Sequence, residues 1–379
     1  METTAQIKTV TISAKQLKST LAVFRKIVAR HKVPILGCIF LSDGIMRVTD
    51  LDVEVSWNGR IDRSIKAAIP VKALTDALKG AKPASEVTLV FDADNLLIVR
   101  HGRLQAEIKM IDYKEAPPKT VGELIGKQII VDELDERLTD AGKCMSSDEN
   151  RYILNGVYME NTGNLVATDG RQLIKIPTSA LASLPKSAII PAKCVDLFKL
   201  AALKERPVGV QLAFKGPSAA RDFESAFAEL VHFTMGDGEW SVTSKLVQGR
   251  FPGYNQVIPK NTPDWIGFLK ELDVERITEF LQALPEKSRV RMTITGAKME
   301  LHSIGENSNN AYTFLDGIMT PSKTKVDIAF ASRFLLNCLE SKCWNWSFTD
   351  EYSPLLASGP EQRKTIVMPV RLDKPKPVQ

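Results

Sequence analysis

The stretch TVTISAKQLKSTLAVFRKIV, residues 9–28, joins a β-branched run to an amphipathic helix pattern. Apolar residues recur at three- and four-residue intervals in its second half, at Leu17, Leu21, Phe24 and Val28. That spacing places them on one face of a helix, and such a face is buried against another element in a folded protein. The stretch therefore predicts a strand followed by a helix with one buried face.

The same strand–helix pattern occurs six times along the chain. The copies begin near Ser13, Pro70, Val131, Pro191, Leu272 and Phe330. They are about sixty residues apart, except for a longer step between the fourth and fifth copies. Self-similarity at a fixed period indicates duplicated units, so we predict an architecture of six similar halves.

Between the helix patterns the chain carries alternating or β-branched runs bounded by Gly, Asn and Asp, as in residues 86–102. Such runs are typical of antiparallel strands joined by tight turns. Each unit is therefore predicted to hold a strand, a helix and several antiparallel strands. Helices segregated to one face of antiparallel sheets form an α+β fold.

Two polar, Pro-containing passages, at 113–123 and 259–264, interrupt this repeat. They divide the chain into three predicted domains of two units each, namely 1–124, 125–260 and 261–372. Residues 373–379 are too polar and Pro-rich to pack, and we expect a disordered tail. The segment 213–232 has no counterpart in the other units and is interpreted as a helical insertion of unassigned role.

The overall composition, with 44% hydrophobic and 25% charged residues, is that of a globular protein. No stretch approaches the roughly 20 apolar residues of a membrane helix. The N-terminus also lacks the basic and apolar regions of a secretory signal, so we expect a cytoplasmic protein. The five cysteines are odd in number and scattered without a CxxC pair, which favours reduced thiols over disulfides or zinc.

The net charge of +5 lies in the first third of the chain. Residues 1–124 hold 19 Lys and Arg against 14 Asp and Glu, whereas 125–260 balance at 16 each and 261–379 at 15 each. Such an excess supports nucleic-acid binding only weakly, because an ordinary solvated surface carries a similar charge.

No catalytic motif is present: the chain lacks a P-loop, HExxH, GxSxG and a Rossmann glycine pattern. Asp50, Asp52 and Glu54 alternate along one predicted strand and form the only candidate metal site. Residues at period two share one face, which is usually the solvated face of an antiparallel sheet. We therefore favour a solvated surface and predict no catalytic residue, metal or cofactor, with a metal-dependent enzyme as the alternative.

Three motifs are more specific. ATDGRQLIKIP (167–177) turns at Asp-Gly between two apolar runs, and QGRFPGYNQVIP (248–259) holds an aromatic-Pro-Gly-aromatic cluster. TIVMPVRL (365–372) is an apolar strand that a proline interrupts. Two further segments belong with these motifs, namely KVPILGCIFLS (32–42) and RYILNGVYME (151–160). Taken in their order along the chain, the five segments resemble the bacterial sliding-clamp family over nearly the whole chain. Apolar loops at domain junctions commonly form binding pockets.

The resemblance implies a head-to-tail homodimeric ring of three similar DNA-clamp domains per chain, with helices inside and sheets outside. Such a ring encircles duplex DNA, and basic side chains facing the hole make sequence-independent phosphate contacts. The resemblance therefore also implies a protein associated with the nucleoid. The matching DNA-facing positions are Arg30, Lys72, Lys79, Arg151, Tyr152, Lys193, Lys199 and Arg250. The third and fifth helix patterns are acidic, so we expect an unevenly charged lining.

The resemblance also implies a groove between the second and third domains that binds short peptide motifs of a DNA polymerase, the clamp loader and repair proteins. The matching positions, mostly apolar or small, are Leu154, Thr168, Gly170, Arg171, Leu173, Pro252, Val257, Phe334, Ile366, Met368 and Val370. Apolar side chains suit aliphatic and aromatic anchors, and a flexible methionine suits several clients.

The subunit interface of the family matches Ala106 and Ile108 in the first domain and Leu281 and Leu284 in the third. The sequence thus predicts a non-enzymatic processivity factor that tethers replication enzymes by raising their effective concentration at DNA. A divergent adaptor that binds peptides without encircling DNA is the alternative.

Overall fold

The computed structural model describes residues 7–28, 33–92, 94–120, 122–204, 206–214, 227–304, 312–315, 319–321 and 325–371. These residues form helices and antiparallel strands. The α-helices are α1 (Ala14–Val28), α2 (Val71–Ala77), α3 (Leu134–Gly142), α4 (Ala192–Val195), α5 (Glu271–Gln282) and α6 (Ser332–Glu340). The strands of the first half are β1 (Lys8–Ser13), β2 (Cys38–Ser42), β3 (Ile45–Thr49), β4 (Val53–Asn58), β5 (Ala67–Pro70), β6 (Glu86–Phe91), β7 (Leu96–His101), β8 (Leu104–Lys109), β9 (Glu123–Val131), β10 (Gly156–Glu160), β11 (Asn164–Thr168), β12 (Gln172–Pro177) and β13 (Ala188–Pro191). Those of the second half are β14 (Val208–Phe214), β15 (Leu230–Met235), β16 (Trp240–Lys245), β17 (Trp265–Phe268), β18 (Arg289–Thr295), β19 (Lys298–Ile304), β20 (Tyr312–Leu315), β21 (Met319–Pro321), β22 (Lys325–Ala331), β23 (Asn345–Phe348), β24 (Leu355–Ser358) and β25 (Lys364–Val367).

The chain divides into two compact units, which we call unit 1 (1–136 and 183–248) and unit 2 (137–182 and 249–379). Unit 1 holds a four-stranded sheet in the order β1-β6-β7-β8 and an eight-stranded sheet in the order β5-β2-β3-β4-β16-β15-β14-β9. Phe24 of α1 packs edge-on against Trp240 of β16, with ring centroids 6.2 Å apart. The predicted helix face therefore anchors the core of this unit.

Unit 2 holds the continuous strand order β10-β11-β12-β25-β24-β23-β17-β21 and a four-stranded sheet in the order β20-β19-β18-β22. Its core includes the buried residues Trp265, Ile277, Leu335 and Trp346, each at most 1% exposed. The strand pairs β4–β16 and β12–β25 join segments that the sequence assigns to different domains. Each unit therefore combines parts of more than one predicted domain. The division into domains 1–124, 125–260 and 261–372 stays a prediction from the sequence.

The helix prediction is confirmed at five of the six copies, and the α+β class is confirmed with it. The fourth copy is shorter than the pattern predicts: α4 has four residues, and 3-10 turns at Asp196–Lys199 and Ala201–Leu203 follow it. The chain adopts an extended conformation at Leu200 (φ −82°, ψ 132°), which ends the helical geometry there. The apolar residues of this copy are nevertheless buried, including Val195 and Phe198.

The solvated face predicted for the three carboxylates at 50, 52 and 54 is wrong for two of them. Asp50 and Glu54 are 4% and 7% exposed. Residues 117–120 cover Glu54, which accepts hydrogen bonds from Arg47 Nη1 at 2.9 Å and from the Thr120 amide at 3.0 Å. Asp52 is exposed and pairs with Lys245 Nζ at 2.8 Å. Each of the three carboxylates therefore has a cationic partner, since Lys193 pairs with Asp50.

Three further features bear on the sequence-based expectations. In the described part of the chain, no three His, Cys, Asp or Glu side chains cluster closely enough to bind a metal ion. The five cysteines are buried and form no disulfide. No described helix has the length and apolar character needed to cross a membrane. Most of the insertion at 213–232 (residues 215–226), Arg30 and the tail at 373–379 lie outside the described residues.

Candidate functional site

Strand pairing in unit 2 brings together groove residues that are nearly 200 positions apart in the sequence. In the β11–β12 pair Thr168 lies opposite Leu173, and in the β12–β25 pair Leu173 lies opposite Ile366. Residues paired in register share one face of a sheet, so these three side chains form a row. Leu173 and Ile366 are 3% and 2% exposed and form the floor of the candidate groove.

The Asp169-Gly170 turn forms one edge of the groove. The Asp169 carboxylate accepts hydrogen bonds from the Arg171 and Gln172 amides at 2.8 and 2.9 Å, which fixes the turn. Gly170 has a φ of +87°, and a Cβ there would lie 3.1 Å from the Arg151 guanidinium. The positive φ therefore favours glycine at this position, and a Cβ there would also displace the end of the Arg151 side chain.

The C-terminal strand continues past β25 along this edge. The Met368 amide donates to the Arg171 carbonyl at 2.8 Å, and the Val370 amide donates to the Ala329 carbonyl at 2.7 Å. Met368 is 40% exposed although its backbone is held by a hydrogen bond. Its side chain is available to a ligand at the groove edge.

Two buried aromatic residues hold the loop that carries Pro252 and Val257. Phe251 stacks on Tyr158 with ring centroids 4.7 Å apart, and the Tyr254 hydroxyl donates to Glu160 Oε2 at 2.8 Å. Pro252 is exposed and Val257 is 50% exposed. The aromatic-Pro-Gly-aromatic motif thus anchors the loop through its aromatic rings and presents the apolar residues beside them.

The Glu160 carboxylate is the polar anchor of this loop. Burial opposes its charge, but hydrogen bonds from Thr162, Tyr254 and Asn164 outweigh burial and lower the pKa of Glu160. The Asn164 amide donates to Glu160 Oε2 at 2.8 Å. Glu160 is consequently ionised at neutral pH, and it accepts the hydrogen bonds that hold the loop on β10.

A buried polar network ties α6 to the groove turn. Asn337 Nδ2 donates to Gln172 Oε1 at 3.0 Å and to the Lys143 carbonyl at 3.2 Å. Nearby in the same unit, Arg363 Nη1 donates to Asp140 Oδ2 at 2.8 Å, and both side chains are at most 7% exposed. Sequence reasoning missed these residues because each contact joins distant segments and none forms a local motif.

The other predicted groove residues are less directly placed. Leu154 ends a 3-10 helix, Glu149–Leu154, and is half-buried. Phe334 of α6 is half-buried against the core of unit 2. No described contact joins either residue to the row at Leu173, so their part in the groove stays a prediction.

In unit 1, exposed basic residues surround Asp76 on the α1–α2 pair. A hydrogen bond from Lys79, at 2.7 Å, and the positive charges of Lys72 and Arg25 lower the pKa of Asp76. Lys72 and Lys79 are predicted DNA-facing residues, and both are exposed. Arg25 was missed by sequence reasoning, although its place opposite the buried face of α1 follows from helical spacing.

Two other predicted DNA-facing lysines are paired with carboxylates. Lys199 forms a surface ion pair with Asp196 at 2.6 Å. The Lys193 ammonium pairs with Asp50, whose side chain is fully buried. Asp50 Oδ1 also accepts hydrogen bonds from the Asp52 and Val53 amides at 3.0 and 2.8 Å. Asp50 therefore positions Lys193 and offsets its charge.

Replacement of Asp50 by Asn is expected to destabilise unit 1 by about 1–2 kcal/mol, because the buried partner of Lys193 loses its charge. Urea unfolding followed by tryptophan fluorescence measures this loss. Asp52→Asn removes the exposed pair with Lys245 and is the matched control, with an expected loss below about 0.5 kcal/mol. Equal losses in the two variants would show that burial of Asp50 contributes nothing to the pair.

The remaining predicted DNA contacts lie in unit 2. Arg151 and Arg250 are exposed, and Tyr152 is 58% exposed. Arg151 Nη1 donates to the Asp169 carbonyl at 3.2 Å, which ties it to the groove turn. A Cβ on Gly249 would lie 3.9 Å from the Tyr152 hydroxyl, so the segment before Arg250 passes beside Tyr152.

The two acidic helices differ in where their carboxylates lie. In α3, Asp135 and Asp140 are buried, at 7% and 5% exposed. In α5, Glu271, Glu275 and Glu279 are exposed at four-residue spacing and share one face. The negative charge expected from the sequence is therefore exposed on α5, whereas two of the carboxylates of α3 are buried.

The predicted interface residues lie on two elements. Ala106 and Ile108 belong to β8, which pairs only with β7 in the described strand order and so leaves one edge open. Leu281 is 3% exposed and belongs to the core of unit 2. Leu284 is partly exposed and lines a cavity of about 310 Å³ with Pro285, Arg333 and Leu336, among other residues. Of the two predicted third-domain positions, Leu284 has the more accessible side chain.

Comparison with known proteins shows what the sequence and the fold of this chain are similar to. Residues 128–253 match the family model of the DNA polymerase III beta subunit, central domain. The beta sliding clamp of Salmonella typhimurium is 25% identical over 362 residues, covering 90% of this chain and 94% of the relative. That of Caulobacter vibrioides is 27% identical over 381 residues with the same coverage.

Solved structures show the same fold. A Caulobacter crescentus beta sliding clamp has a TM-score of 0.79 at 24% identity, covering 97% of this chain and 99% of that chain. A sliding clamp from Bartonella birtlesii, bound to griselimycin, has a TM-score of 0.78 at 23% identity, covering 97% and 100%. The resemblance to bacterial sliding clamps that the sequence motifs predicted is confirmed over most of the chain. The family-model match relates residues 128–253 to the central domain of the beta subunit of DNA polymerase III.

Proposed function

We propose that the chain is a non-catalytic processivity factor that encircles duplex DNA as a head-to-tail homodimer and tethers replication proteins through a peptide groove. The observation that carries this proposal is the candidate groove of unit 2. Strand pairing and backbone hydrogen bonds join the segments at 168–173 and 366–370. The loop at 251–257 is held on the same sheet through Tyr158 and Glu160 of β10. A convergence of mostly apolar residues with an exposed methionine suits the anchors of short peptides.

The exposed cations of unit 1 support the DNA-binding part of the proposal. Arg25 of α1, Lys72 of α2 and Lys79, which follows α2, form a basic cluster around the Asp76 carboxylate. Such contacts are weak, screened by salt and independent of sequence, as sliding requires. A closed ring then retains DNA by topology, so tight phosphate binding is unnecessary.

The open edge of β8 supports the homodimer. Leu104 at the start of this strand is 44% exposed, and an unpaired edge with exposed apolar residues readily pairs with a second chain. We expect this edge and the surface at Leu284 to meet in the dimer. A protein with this role would act in the bacterial cytoplasm, where the chromosome lies.

Retention on circular and linear DNA tests encirclement. The chain is loaded onto nicked circular DNA by a clamp loader, washed at moderately high salt, and measured before and after linearisation. We expect retention on circles and release after cutting, because only topology resists salt that screens phosphate contacts. Equal release from both forms would reject the ring and favour the adaptor that binds peptides without encircling DNA.

The adaptor remains the second candidate because α5 exposes three glutamates on one face. Such a face repels DNA phosphates if it lies near them. The retention experiment separates the two candidates, since an adaptor still binds peptides but shows no difference between circular and linear DNA. A peptide-binding measurement on the same preparation provides the second readout.

A further inference from the structure

The sheet face that forms the groove floor continues beyond the groove in unit 2. The row Leu173–Ile366 extends in register to Leu356 of β24, Ser347 of β23 and Ile266 of β17. The opposite face of these strands carries core residues such as Trp265 and Trp346. The row therefore lies on the outer face of the sheet.

A second row runs beside the first on the same face, because residues two positions apart along a strand point the same way. It pairs Lys175 with Lys364, then continues through Ser358 and Asn345 to Phe268. Phe268 is 63% exposed and Ile266 is 37% exposed. The outer face thus carries apolar residues toward β17, namely Leu356 of β24 with Ile266 and Phe268 of β17. We call these three residues the apolar strip.

Lys175 and Lys364 lie directly opposite each other on neighbouring strands. Like charges in this position destabilise a sheet unless an anion lies between them. Lys175 lies over the Tyr254 ring, 5.8 Å from its centroid, and its charge helps to lower the pKa of Glu160. Lys364 forms no ion pair with a described carboxylate within 4 Å. We call this pair the basic ledge; it adjoins the groove floor at Leu173 and Ile366.

We propose that the docking surface extends past the groove, over the basic ledge and the apolar strip. The partner is a peptide segment that carries a carboxylate close to its apolar anchors and a bulky apolar residue further along. The proposal rests on the peptide groove proposed above. Its support is the continuity of the two rows with the groove floor and the positive charge of Lys364, which Lys175 adjoins and which no described carboxylate balances.

The spacing of the strands sets the reach of such a peptide. The ledge is two residues along the strand from the groove floor, roughly 7 Å, so the carboxylate follows within about two residues of the anchor. From β25 to β17 are three strand spacings, together about 14 Å. An extended peptide covers this distance with about four residues, which places its apolar residue on the strip.

Fluorescence anisotropy with synthetic peptides on the full-length chain tests the extension. The first probe carries only Leu and Phe anchors. The second probe adds a Glu next to the anchors and a Leu about four residues beyond them. It is made in two versions, one with the addition on the N-terminal side of the anchors and one with it on the C-terminal side. We expect one of the two extended versions to bind about tenfold tighter than the anchor probe, with a preference that weakens at high salt.

Three variants locate the effect. Lys364→Ala is expected to reduce binding of the extended probe about fivefold, and Phe268→Ala by a similar factor, while the anchor probe binds as before. Lys325→Ala, an exposed lysine on β22 of the other sheet of unit 2, is the matched control and changes neither. The extension alone would be overturned if both extended probes bound no tighter than the anchor probe. It would also be overturned if Lys364→Ala and Phe268→Ala weakened binding of the anchor probe as much as that of the extended probe. If the anchor probe itself fails to bind, the peptide groove is rejected and the extension with it.

Discussion

Deletion of Met368–Leu372 is expected to abolish stimulation of a DNA polymerase by this protein while leaving the chain folded and dimeric. The deletion removes the exposed Met368 side chain and the backbone hydrogen bonds of Met368 and Val370, at 2.8 and 2.7 Å. It keeps Ile366 and Val367, which are buried in β25. The groove edge is therefore lost while the sheet and its core remain.

Primer extension on a long template, with clamp loader and polymerase present, measures the effect. Met368→Ala alone is expected to weaken peptide binding about tenfold, as truncation of a central interface anchor does. Tyr352→Ala is the matched control, because Tyr352 is 69% exposed and lies outside the candidate groove. Circular dichroism and the solution mass confirm fold and dimer. A truncated protein that still stimulates the polymerase would contradict the assignment of the groove.

Replacement of Asp140 by Ala is expected to cost about 3–5 kcal/mol in the free energy of unfolding of unit 2, because a buried cation then loses its partner. Arg363 and Asp140 are 2.8 Å apart and almost completely buried. Lys143 also pairs with Asp140 at 3.0 Å, so the variant leaves two cations close together. Since Arg363 directly precedes β25, the groove strand loses its anchor as well.

Thermal and urea unfolding measure this loss. Asp148→Ala removes an exposed pair with Arg151 at 3.5 Å and a capping hydrogen bond from the Asn150 amide at 3.0 Å, and is expected to cost no more than about 1–2 kcal/mol. The double variant Asp140→Leu with Arg363→Met is expected to regain most of the stability, because similar apolar volumes often replace a buried pair well. A single variant Asp140→Ala as stable as Asp148→Ala would show that the pair is not a stabilising contact.

The helices and turns were predictable because their patterns are local. Leu17, Leu21 and Phe24 are buried on one face of α1 as their spacing requires. The fourth helix was overpredicted, since the same spacing is compatible with the 3-10 turns that replace it. The prediction of exposure was wrong for Asp50 and Glu54. A two-residue spacing shows that side chains share one face of a strand, but it does not show which other segment covers that face.

The groove was predictable only through the family resemblance. Motifs at 167–177 and 365–372 indicated its segments, but their pairing is a property of the folded sheet. The Asn337–Gln172 contact spans 165 positions and the Arg363–Asp140 contact 223. Contacts at such separations depend on topology, for which a single sequence carries no local pattern.

The sequence by itself determined the repeated strand–helix units and the α+β class, because the helical period of 3.6 residues and the strand period of two residues are visible in neighbouring positions. Its motifs also determined the resemblance to bacterial sliding clamps. The tertiary structure alone decided which charges meet. It pairs Lys193 with the buried Asp50 and sets Lys175 opposite Lys364. Sheet order and register bring these side chains together, and register follows from the packing of the whole sheet against its core.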